Sequence, residues 1–80
     1  MVEIRFDKKF VEIFSKLDNF IRTKIQKQIK KISDNPEVGK PMRNVRKGTR
    51  ELYIKPFRLS YLIINKDLIY ILGLYHKKQQ

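Results

Sequence analysis

The chain has 80 residues, a formal net charge of +11 at pH 7 and no cysteine. A chain of this length buries only about 60% of the surface that its unfolded form exposes, so we expect a single domain, residues 1–80, with one core. The lack of cysteine excludes disulfides, thiolate nucleophiles and cysteine-ligated metals. There is no secretory signal pattern and no apolar run near the ~20 residues that cross a bilayer, which predicts a soluble protein of the cytoplasm.

The positive charge is distributed unevenly along the chain. The excess of basic over acidic residues is +4 in residues 1–40 and +7 in residues 41–80. Concentrated positive charge attracts nucleic acids, because binding releases the counterions around the phosphates. We interpret the second half as a surface for nucleic acid or another acidic partner. A lysine-rich protein that charge keeps soluble is the alternative, and composition leaves it open.

The first predicted elements are a strand and a helix. Residues 2–6 alternate apolar and charged side chains, which predicts a short strand with Val2, Ile4 and Phe6 facing the core. Asp7 then provides the N-cap of a helix of about three turns. The apolar side chains that form one stripe at helical spacing are Phe6, Phe10, Ile13, Phe14 and Leu17.

A second helix follows, and we expect the two helices to form an antiparallel hairpin. Asp18 provides its N-cap, and Asn35-Pro36 ends it. Apolar residues recur at helical spacing in between, at Ile21, Ile25, Ile29 and Ile32. The lysines of this helix are interpreted as a solvated face, with RNA binding as the alternative. Residues 34–49 contain several prolines and glycines and few apolar residues, which predicts a surface loop.

Three runs rich in β-branched and aromatic residues come next, at residues 50–55, 57–64 and 68–78. Pro56 and Asn65-Lys66-Asp67 separate them, a pattern that predicts a β-meander. Side chains alternate along a strand, so Leu59 and Tyr61 share one face and Arg58 lies on the other. Burial of an unpaired guanidinium is costly, so we expect Arg58 on an open face. The predicted fold class is α+β, with the N-terminal strand and the helical hairpin packed on an antiparallel β-sheet.

Three short motifs carry a resemblance to a known family. They are Arg50-Glu51-Leu52, Phe57-Arg58-Leu59-Ser60-Tyr61 and the run from Leu72 to Gln80, which contains paired lysines followed by two glutamines. In an order of one strand, two helices and three strands, these motifs resemble the RelE/ParE superfamily of toxins from type II toxin–antitoxin modules, and HigB-like members most of all. The resemblance extends over nearly the whole chain. It implies a RelE-like fold with a four-stranded antiparallel sheet and a helical hairpin on one side.

The resemblance also implies a function. Family members cleave mRNA in the ribosomal A site without a metal ion or other cofactor, so the chain is expected to be an endoribonuclease toxin that inhibits translation. ParE-type members poison gyrase on much the same scaffold, and a degenerate RNA-binding module without catalysis is a further alternative. Whether the chain is an enzyme therefore stays open at this point. The expected partners are a cognate antitoxin with a small acidic or amphipathic segment, the ribosome and mRNA, and no membrane.

Candidate site residues follow from the expected chemistry, in which a ribose 2′-hydroxyl attacks its own phosphate. The resemblance implies that Arg58 contacts the scissile phosphate and that Lys77 is the basic residue after the last strand. His76 is the candidate for proton transfer, because imidazole exchanges protons near neutral pH. Arg58 could instead have a structural role, as the ion-pair partner of Glu51. His76 could instead be a surface histidine without a catalytic role. The residues expected to bind RNA or the ribosome are Arg43, Arg46, Lys47, Arg50, Lys55 and Lys78.

Tyrosines and metal ligands complete the set of candidates. Strand aromatics usually belong to the core, and among the tyrosines only Tyr75 is a candidate for stacking on a base. One histidine and no cysteine leave no zinc site. The sequence therefore predicts a site made of cations.

Overall fold

The computed structural model describes residues 2–43 and 48–76. Two helices pack on a five-stranded mixed sheet, which confirms the predicted α+β class. The strands are β1 (Glu3–Phe6), β2 (Lys40–Pro41), β3 (Thr49–Ile54), β4 (Phe57–Asn65) and β5 (Leu68–His76), and the helices are α1 (Lys8–Ser15) and α2 (Asn19–Asp34). A short 3₁₀ helix, Pro36–Val38, lies between α2 and β2.

The strands lie in the order β1-β5-β4-β3-β2. Strands β3, β4 and β5 pair antiparallel in chain order, which confirms the predicted meander. Two features differ from the expected four-stranded antiparallel sheet: β1 runs parallel to β5, and β2 adds a fifth strand inside the segment that was predicted to be a loop. Local sequence contains no signal for either feature, because β1 and β5 are distant in the chain and a two-residue strand has no periodicity.

Both helices begin at the predicted caps. The carboxylate of Asp7 accepts a hydrogen bond of 3.0 Å from the N–H of Lys9, and that of Asp18 accepts one of 2.9 Å from the N–H of Ile21. Helix α1 ends earlier than predicted, at Ser15, whereas α2 reaches its predicted end. Among the described residues, no helix has both the length and the apolar composition needed to cross a membrane.

The core lies between the helices and one face of the sheet. Ile25 and Ile32 of α2 are completely buried, and Phe10 of α1 is almost so. They pack with buried sheet residues, namely Ile54, Leu59, Tyr61, Ile69, Ile71 and Leu74. Each such side chain contributes roughly 1.5–3 kcal/mol on burial, so this cluster is the main source of stability. Phe6, expected in the core, is instead 45% exposed because β1 is an edge strand, and its ring stacks on Phe10.

The strand register divides the sheet into two faces. Residues that pair across antiparallel strands share a face, and successive residues alternate between faces. The core face carries Leu59 and its partners Leu52 and Leu74. The opposite face, which we call the site face, carries two rows of paired residues: Tyr53, Arg58 and Tyr75 in one, and Glu51, Ser60 and Gly73 in the next. Arg58 thus lies on the face opposite Leu59, as the alternation predicted.

A side-chain hydrogen bond ties the start of α1 to β5. The hydroxyl of Tyr70 donates to Oδ1 of Asp7 at 2.8 Å. The pKa of Asp7 lies below its ordinary value, chiefly because of the hydrogen bond from the N–H of Lys9 and next because of the one from Tyr70. The pKa of Tyr70 lies above its ordinary value, chiefly because its hydroxyl must keep the proton that it donates to Asp7. The ionised Asp7 therefore stabilises the fold above its unfolded-state pKa, and this contribution is lost as the pH falls through the lower folded-state pKa.

Replacement of Tyr70 by Phe is expected to make the free energy of unfolding less sensitive to acid. The change removes one of the bonds that lower the pKa of Asp7, so the folded-state value moves towards the unfolded one. Urea unfolding at about pH 7 and about pH 3 measures the effect, and the difference between the two free energies should be smaller in Tyr70→Phe than in the wild type. The control is Asp7→Asn, which keeps a capping side chain without a titrating carboxylate and should remove the contribution altogether. A pH dependence that neither variant alters would contradict this account.

Candidate functional site

A depression on the site face, beside β2, brings several cations together. Its volume is about 840 Å³. The residues that line it are Lys40, Pro41, Met42, Arg43, Glu51, Tyr53 and Arg58. Three of these are cations and one is a carboxylate, so the lining carries an excess of positive charge. A concave surface of one sign focuses the electric field and attracts anions, and we call this site the cationic depression.

Arg58 lies on β4 between two tyrosines. In the register it pairs with Tyr53 of β3 and with Tyr75 of β5. Its guanidinium carbon lies 6.0 Å from the centroid of the Tyr53 ring, within the range of a cation–π contact. The Arg58 side chain is 29% exposed, so part of it remains accessible to solvent. An arginine held in this way presents a planar fork of N–H donors, which suits the oxygens of a phosphate.

Glu51 is a buried carboxylate beside Arg58. It is only 5% exposed, and its Oε1 lies 3.5 Å from Nη1 of Arg58. Removal of a carboxylate from water costs several kcal/mol unless a neighbouring charge compensates, so the buried Glu51 depends on the guanidinium. In return, the carboxylate restricts where that guanidinium can lie. The ion pair considered from sequence as the structural alternative is therefore present, and it coexists with an accessible Arg58.

Tyr61, on the core face, fixes the backbone of the segment that precedes β2. Its buried hydroxyl donates to the carbonyl oxygen of Pro36 at 2.6 Å and accepts from the N–H of Gly39 at 2.9 Å. Burial raises the pKa of Tyr61, and the hydrogen bond from Gly39 and the positive charge of Arg50 oppose this rise. The hydroxyl thereby satisfies two backbone groups of the segment that leads into β2.

Arg50 completes the same network. It pairs with Tyr61 in the register, and its Nη1 donates to the carbonyl oxygens of Gly39 at 2.7 Å and of Glu37 at 3.1 Å. Residue Lys40, which follows Gly39 directly, lines the cationic depression. The hydrogen bonds of Arg50 and Tyr61 are made on the core face and fix the backbone of residues 36–39. They therefore also position Lys40, which forms part of the wall of the depression on the site face.

The structure brings together two of the residues predicted to contact RNA. Arg43 and Arg58 both line the cationic depression. Arg50 lies on the core face with its guanidinium bonded to backbone, and Lys55 is exposed in the turn between β3 and β4, outside the lining. The remaining candidates are Arg46, Lys47, Lys77 and Lys78, which lie outside the described residues. Their roles stay predictions.

His76 lies on the opposite face of the sheet from Arg58. It pairs with Phe57, and the two rings meet edge to face with 6.0 Å between their centroids. Phe57 packs against the core, whereas Arg58, the next residue, belongs to the site face. The register of β4 and β5 thus separates two residues that were predicted to act in one site.

Five residues of the lining were not predicted as site residues, and three of them carry a charge or an aromatic ring: Lys40, Glu51 and Tyr53. A signal existed for the two in β3. The two-residue turn at Lys55-Pro56 sets the hairpin register, which pairs Tyr53 with Arg58 and places Glu51 on the same face. No comparable signal existed for Lys40, because β2 has only two residues.

The ligand that this arrangement suits is an anion with planar rings attached. Within residues 2–43 and 48–76, no three side chains of His, Cys, Asp or Glu lie close enough to hold a metal ion. The cationic depression offers N–H donors and an aromatic ring instead. Phosphate binds to the first and a nucleobase stacks on the second, so the lining matches a nucleotide.

Comparison with known families gives one match that covers most of the chain. A family model described as the ParE toxin of the type II toxin-antitoxin system parDE matches residues 4–80. Comparison with curated protein sequences gives no significant match.

Solved structures share the fold over nearly the full chain. A chain of the toxin–antitoxin complex RelBE2 from Mycobacterium tuberculosis superposes with a TM-score of 0.83 and 26% identity, covering 95% of this chain and 98% of that one. A chain of the intact E. coli RelBE complex gives 0.81 and 14% identity, with 95% and 96% covered. A chain of the archaeal RelE–RelB complex from Pyrococcus horikoshii gives 0.78 and 16% identity, with 99% and 98% covered.

Replacement of Gly39 by Ala is expected to destabilise the protein. A Cβ at this position would lie 2.6 Å from Oη and 2.7 Å from Cε1 of Tyr61, and that ring is fully buried and cannot move aside without losing its hydrogen bonds. Overpacking of this kind costs about 1–3 kcal/mol. Urea unfolding measures the loss, with Gly73→Ala as the control because a Cβ there would meet no atom within 4 Å. Equal free energies of unfolding for the two variants would contradict the role of Tyr61.

Proposed function

The chain belongs to the RelE/ParE family of toxins of type II toxin–antitoxin systems, and from that premise we propose that it is an endoribonuclease that cleaves mRNA on the ribosome. The observation that carries the proposal is the cationic depression, with Arg58 between two tyrosines at its edge. Cations stabilise the negative charge that develops on a phosphate during cleavage, and tyrosine rings stack on bases. Cleavage of mRNA during translation inhibits protein synthesis.

In the proposed reaction, a ribose 2′-oxygen attacks the adjacent phosphorus and the 5′-oxygen of the next nucleotide leaves. The 2′-hydroxyl loses a proton and the leaving oxygen gains one, so the products carry a 2′,3′-cyclic phosphate and a 5′-hydroxyl. The pentacovalent transition state bears more negative charge than the substrate phosphodiester. Arg58, Arg43 and Lys40 are assigned the binding of its oxygens, since cations close to the phosphate stabilise this charge.

Charge stabilisation and proton transfer are assigned to different groups. Among the described residues that line the cationic depression there is no histidine, and the carboxylate of Glu51 is paired with Arg58. His76 is not assigned a step at the phosphate bound by Arg58, because it projects from the other face. Proton transfer is therefore assigned to groups other than the described lining residues: Lys77, which lies outside the described residues, or the ribosome. This division supports a reaction that depends on the ribosome.

Glu51 is assigned the role of a positioning residue. It lies 3.5 Å from the guanidinium of Arg58 and is too buried to contact RNA itself. The carboxylate contacts one nitrogen of the guanidinium, and Arg58 itself lines the depression. Since preorganisation of a donor matters more for the transition state than for the ground state, Glu51 should affect kcat more than KM.

We also propose a cognate antitoxin as the protein partner. The solved relatives include toxin–antitoxin complexes from M. tuberculosis and E. coli. The net charge of +11 favours a partner segment that is acidic or amphipathic, because complementary charge speeds association and selects the partner. Such a segment placed over the cations of the depression would block phosphate binding.

Replacement of Arg58 by Ala is expected to relieve growth arrest and to reduce cleavage of ribosome-bound mRNA by about 10² to 10³-fold, the usual effect of losing one transition-state donor. Primer extension on mRNA from expressing cells and cleavage by purified protein on programmed ribosomes measure the two effects. The matched control is Arg5→Ala, which removes an exposed arginine that also pairs with a carboxylate but lies on β1 away from the depression. It should leave toxicity and cleavage unchanged.

Two outcomes of that experiment would contradict the proposal. Full toxicity of Arg58→Ala with wild-type cleavage would remove Arg58 from the site. Growth arrest with intact mRNA and accumulating DNA breaks would assign the chain to gyrase poisoning, the alternative that the shared scaffold allows.

Replacement of Glu51 by Gln is expected to lower kcat about tenfold or more while KM stays equal or falls, because the guanidinium loses its fixed partner while the depression becomes more positive. Single-turnover cleavage on programmed ribosomes gives both parameters. Glu3→Gln is the matched control, since Glu3 is the exposed partner of Arg5 and should leave both unchanged. A proportional rise in KM with unchanged kcat would show that Glu51 acts on ground-state binding and would contradict the positioning role.

A further inference from the structure

A second depression lies between helix α1 and strands β3, β4 and β5, and its lining includes residues of the site face. Its volume is about 390 Å³. The residues that line it are Lys9, Ile13, Thr49, Ser60, Leu72, Gly73, Leu74 and Tyr75. Ser60 and Gly73 pair in the register of β4 and β5 and share a face with Arg58, so they form the floor. Lys9 and Ile13 belong to α1 and form a wall, and we call this site the α1 groove.

Gly73 leaves the floor of the α1 groove open. A Cβ at this position would meet no atom within 4 Å. Glycine weakens the interior of a strand, and it occurs there at bulges or where a ligand approaches the backbone closely. A bulge is present, because the register of β4 and β5 shifts between Ser60 and Tyr61. The bulge accounts for the irregular pairing of β4 and β5. It does not account for the open space above Gly73, which is large enough for part of a ligand to lie against the backbone.

The α1 groove continues from the cationic depression. Arg58 lines the depression, and Tyr75, its partner on β5, lines the groove. Neighbouring strands are about 4.8 Å apart, so a ligand whose phosphate lies at Arg58 reaches the groove within the length of one nucleotide. The two sites are therefore placed to bind successive parts of one extended chain.

The chemistry of the lining suits a nucleoside. The lining contains the ring of Tyr75, the hydroxyls of Thr49 and Ser60, and the apolar side chains of Ile13, Leu72 and Leu74. Lys9 adds a single positive charge at the wall. The volume falls in the ~300–1,000 Å³ range of small-molecule sites. A simple anion would use only the lysine, whereas a base with its ribose would use every one of these groups.

We propose that the α1 groove binds the nucleoside next to the phosphate held by Arg58, and that Gly73 lets this nucleoside lie against the sheet. The inference rests on the proposed RNA-cleaving function, since the occupant is a second nucleotide of the same RNA strand. It extends the site from one phosphate to a stretch of chain. The groove contributes affinity through a base, whereas the depression contributes it through charge.

The test measures the affinity of purified protein for single-stranded RNA by fluorescence anisotropy at fixed salt. The ligands carry 2′-fluoro riboses, which cannot be cleaved, and consist of a dinucleotide and two trinucleotides that extend it at the 5′ or the 3′ end. One of the two extensions should strengthen binding to the wild type about tenfold, the effect of one stacked base. A trinucleotide whose added nucleotide lacks its base should bind no more tightly than the dinucleotide.

Gly73→Val places a branched side chain in the floor and is the principal variant. It should bind the dinucleotide with wild-type affinity. The third nucleotide should raise its affinity by less than about twofold, because the valine side chain excludes the base of that nucleotide from the groove. Valine is favoured in strands, so the fold should persist. Arg58→Ala should weaken the dinucleotide and both trinucleotides alike. Lys9→Ala, an exposed change on α1, should weaken the extended ligand only slightly and the abasic ligand to the same degree.

The outcomes separate this inference from the function on which it rests. If Gly73→Val gains from the extension as the wild type does, the groove is not a nucleoside site. If it weakens the dinucleotide equally, Gly73 acts on the phosphate site and the inference is likewise wrong. If the wild type binds no RNA, or if Arg58→Ala binds as the wild type does, the proposed function itself is contradicted. Should Gly73→Val fail to fold, Gly73→Ala is measured instead and should show a partial loss of the gain from the extension.

Discussion

Strands β3, β4 and β5 pair in a register that places Tyr53, Arg58 and Tyr75 side by side across the sheet. The two-residue turn at Lys55-Pro56 starts this register, since it pairs Ile54 with Phe57 and so determines every later pair of the hairpin. A slip by one residue would exchange the faces of a strand. In β4 it would bury the guanidinium of Arg58 and expose Leu59, and the loss of core burial opposes such a slip.

The same sheet has to accommodate charge close to a small core. Glu51 and Arg58 meet this requirement together, because each offsets the cost of burying the other. On the core face, the side chains of Arg50 and Tyr61 donate hydrogen bonds to backbone carbonyl oxygens of the segment before β2. As a result the depression has a floor that is fixed by an ion pair and a wall that is fixed by hydrogen bonds. A site preorganised in this way suits binding of a developing negative charge.

Local patterns predicted most of the fold. The caps Asp7 and Asp18 and the isoleucine stripe of α2 were read correctly from sequence because each depends on residues within a few positions. The three meander strands were readable for the same reason. The parallel pairing of β1 with β5 and the short β2 were not, since both depend on contacts between distant parts of the chain.

The grouping of the candidate site residues depends on the same long-range pairing. Basic residues can be counted from sequence, but the face on which each one lies depends on the register. Arg58 and Arg43 come together, whereas Arg50 and His76 belong to the core face. Lys40 enters the site through a strand that no local pattern indicates. The proton chemistry of imidazole made His76 a candidate to act beside Arg58, whereas the register places the two side chains on opposite faces.

The central claim is that RNA binds to the site face of this sheet. An NMR titration with a non-cleavable single-stranded RNA tests it most directly, because arginine Nε–H, tyrosine ring and histidine ring signals report the two faces independently. The account predicts that the Arg58 Nε–H and the rings of Tyr53 and Tyr75 shift as RNA is added, while the Arg50 Nε–H and the His76 ring stay in place. Shifts at Arg50 and His76 with unchanged signals from Arg58 would contradict it.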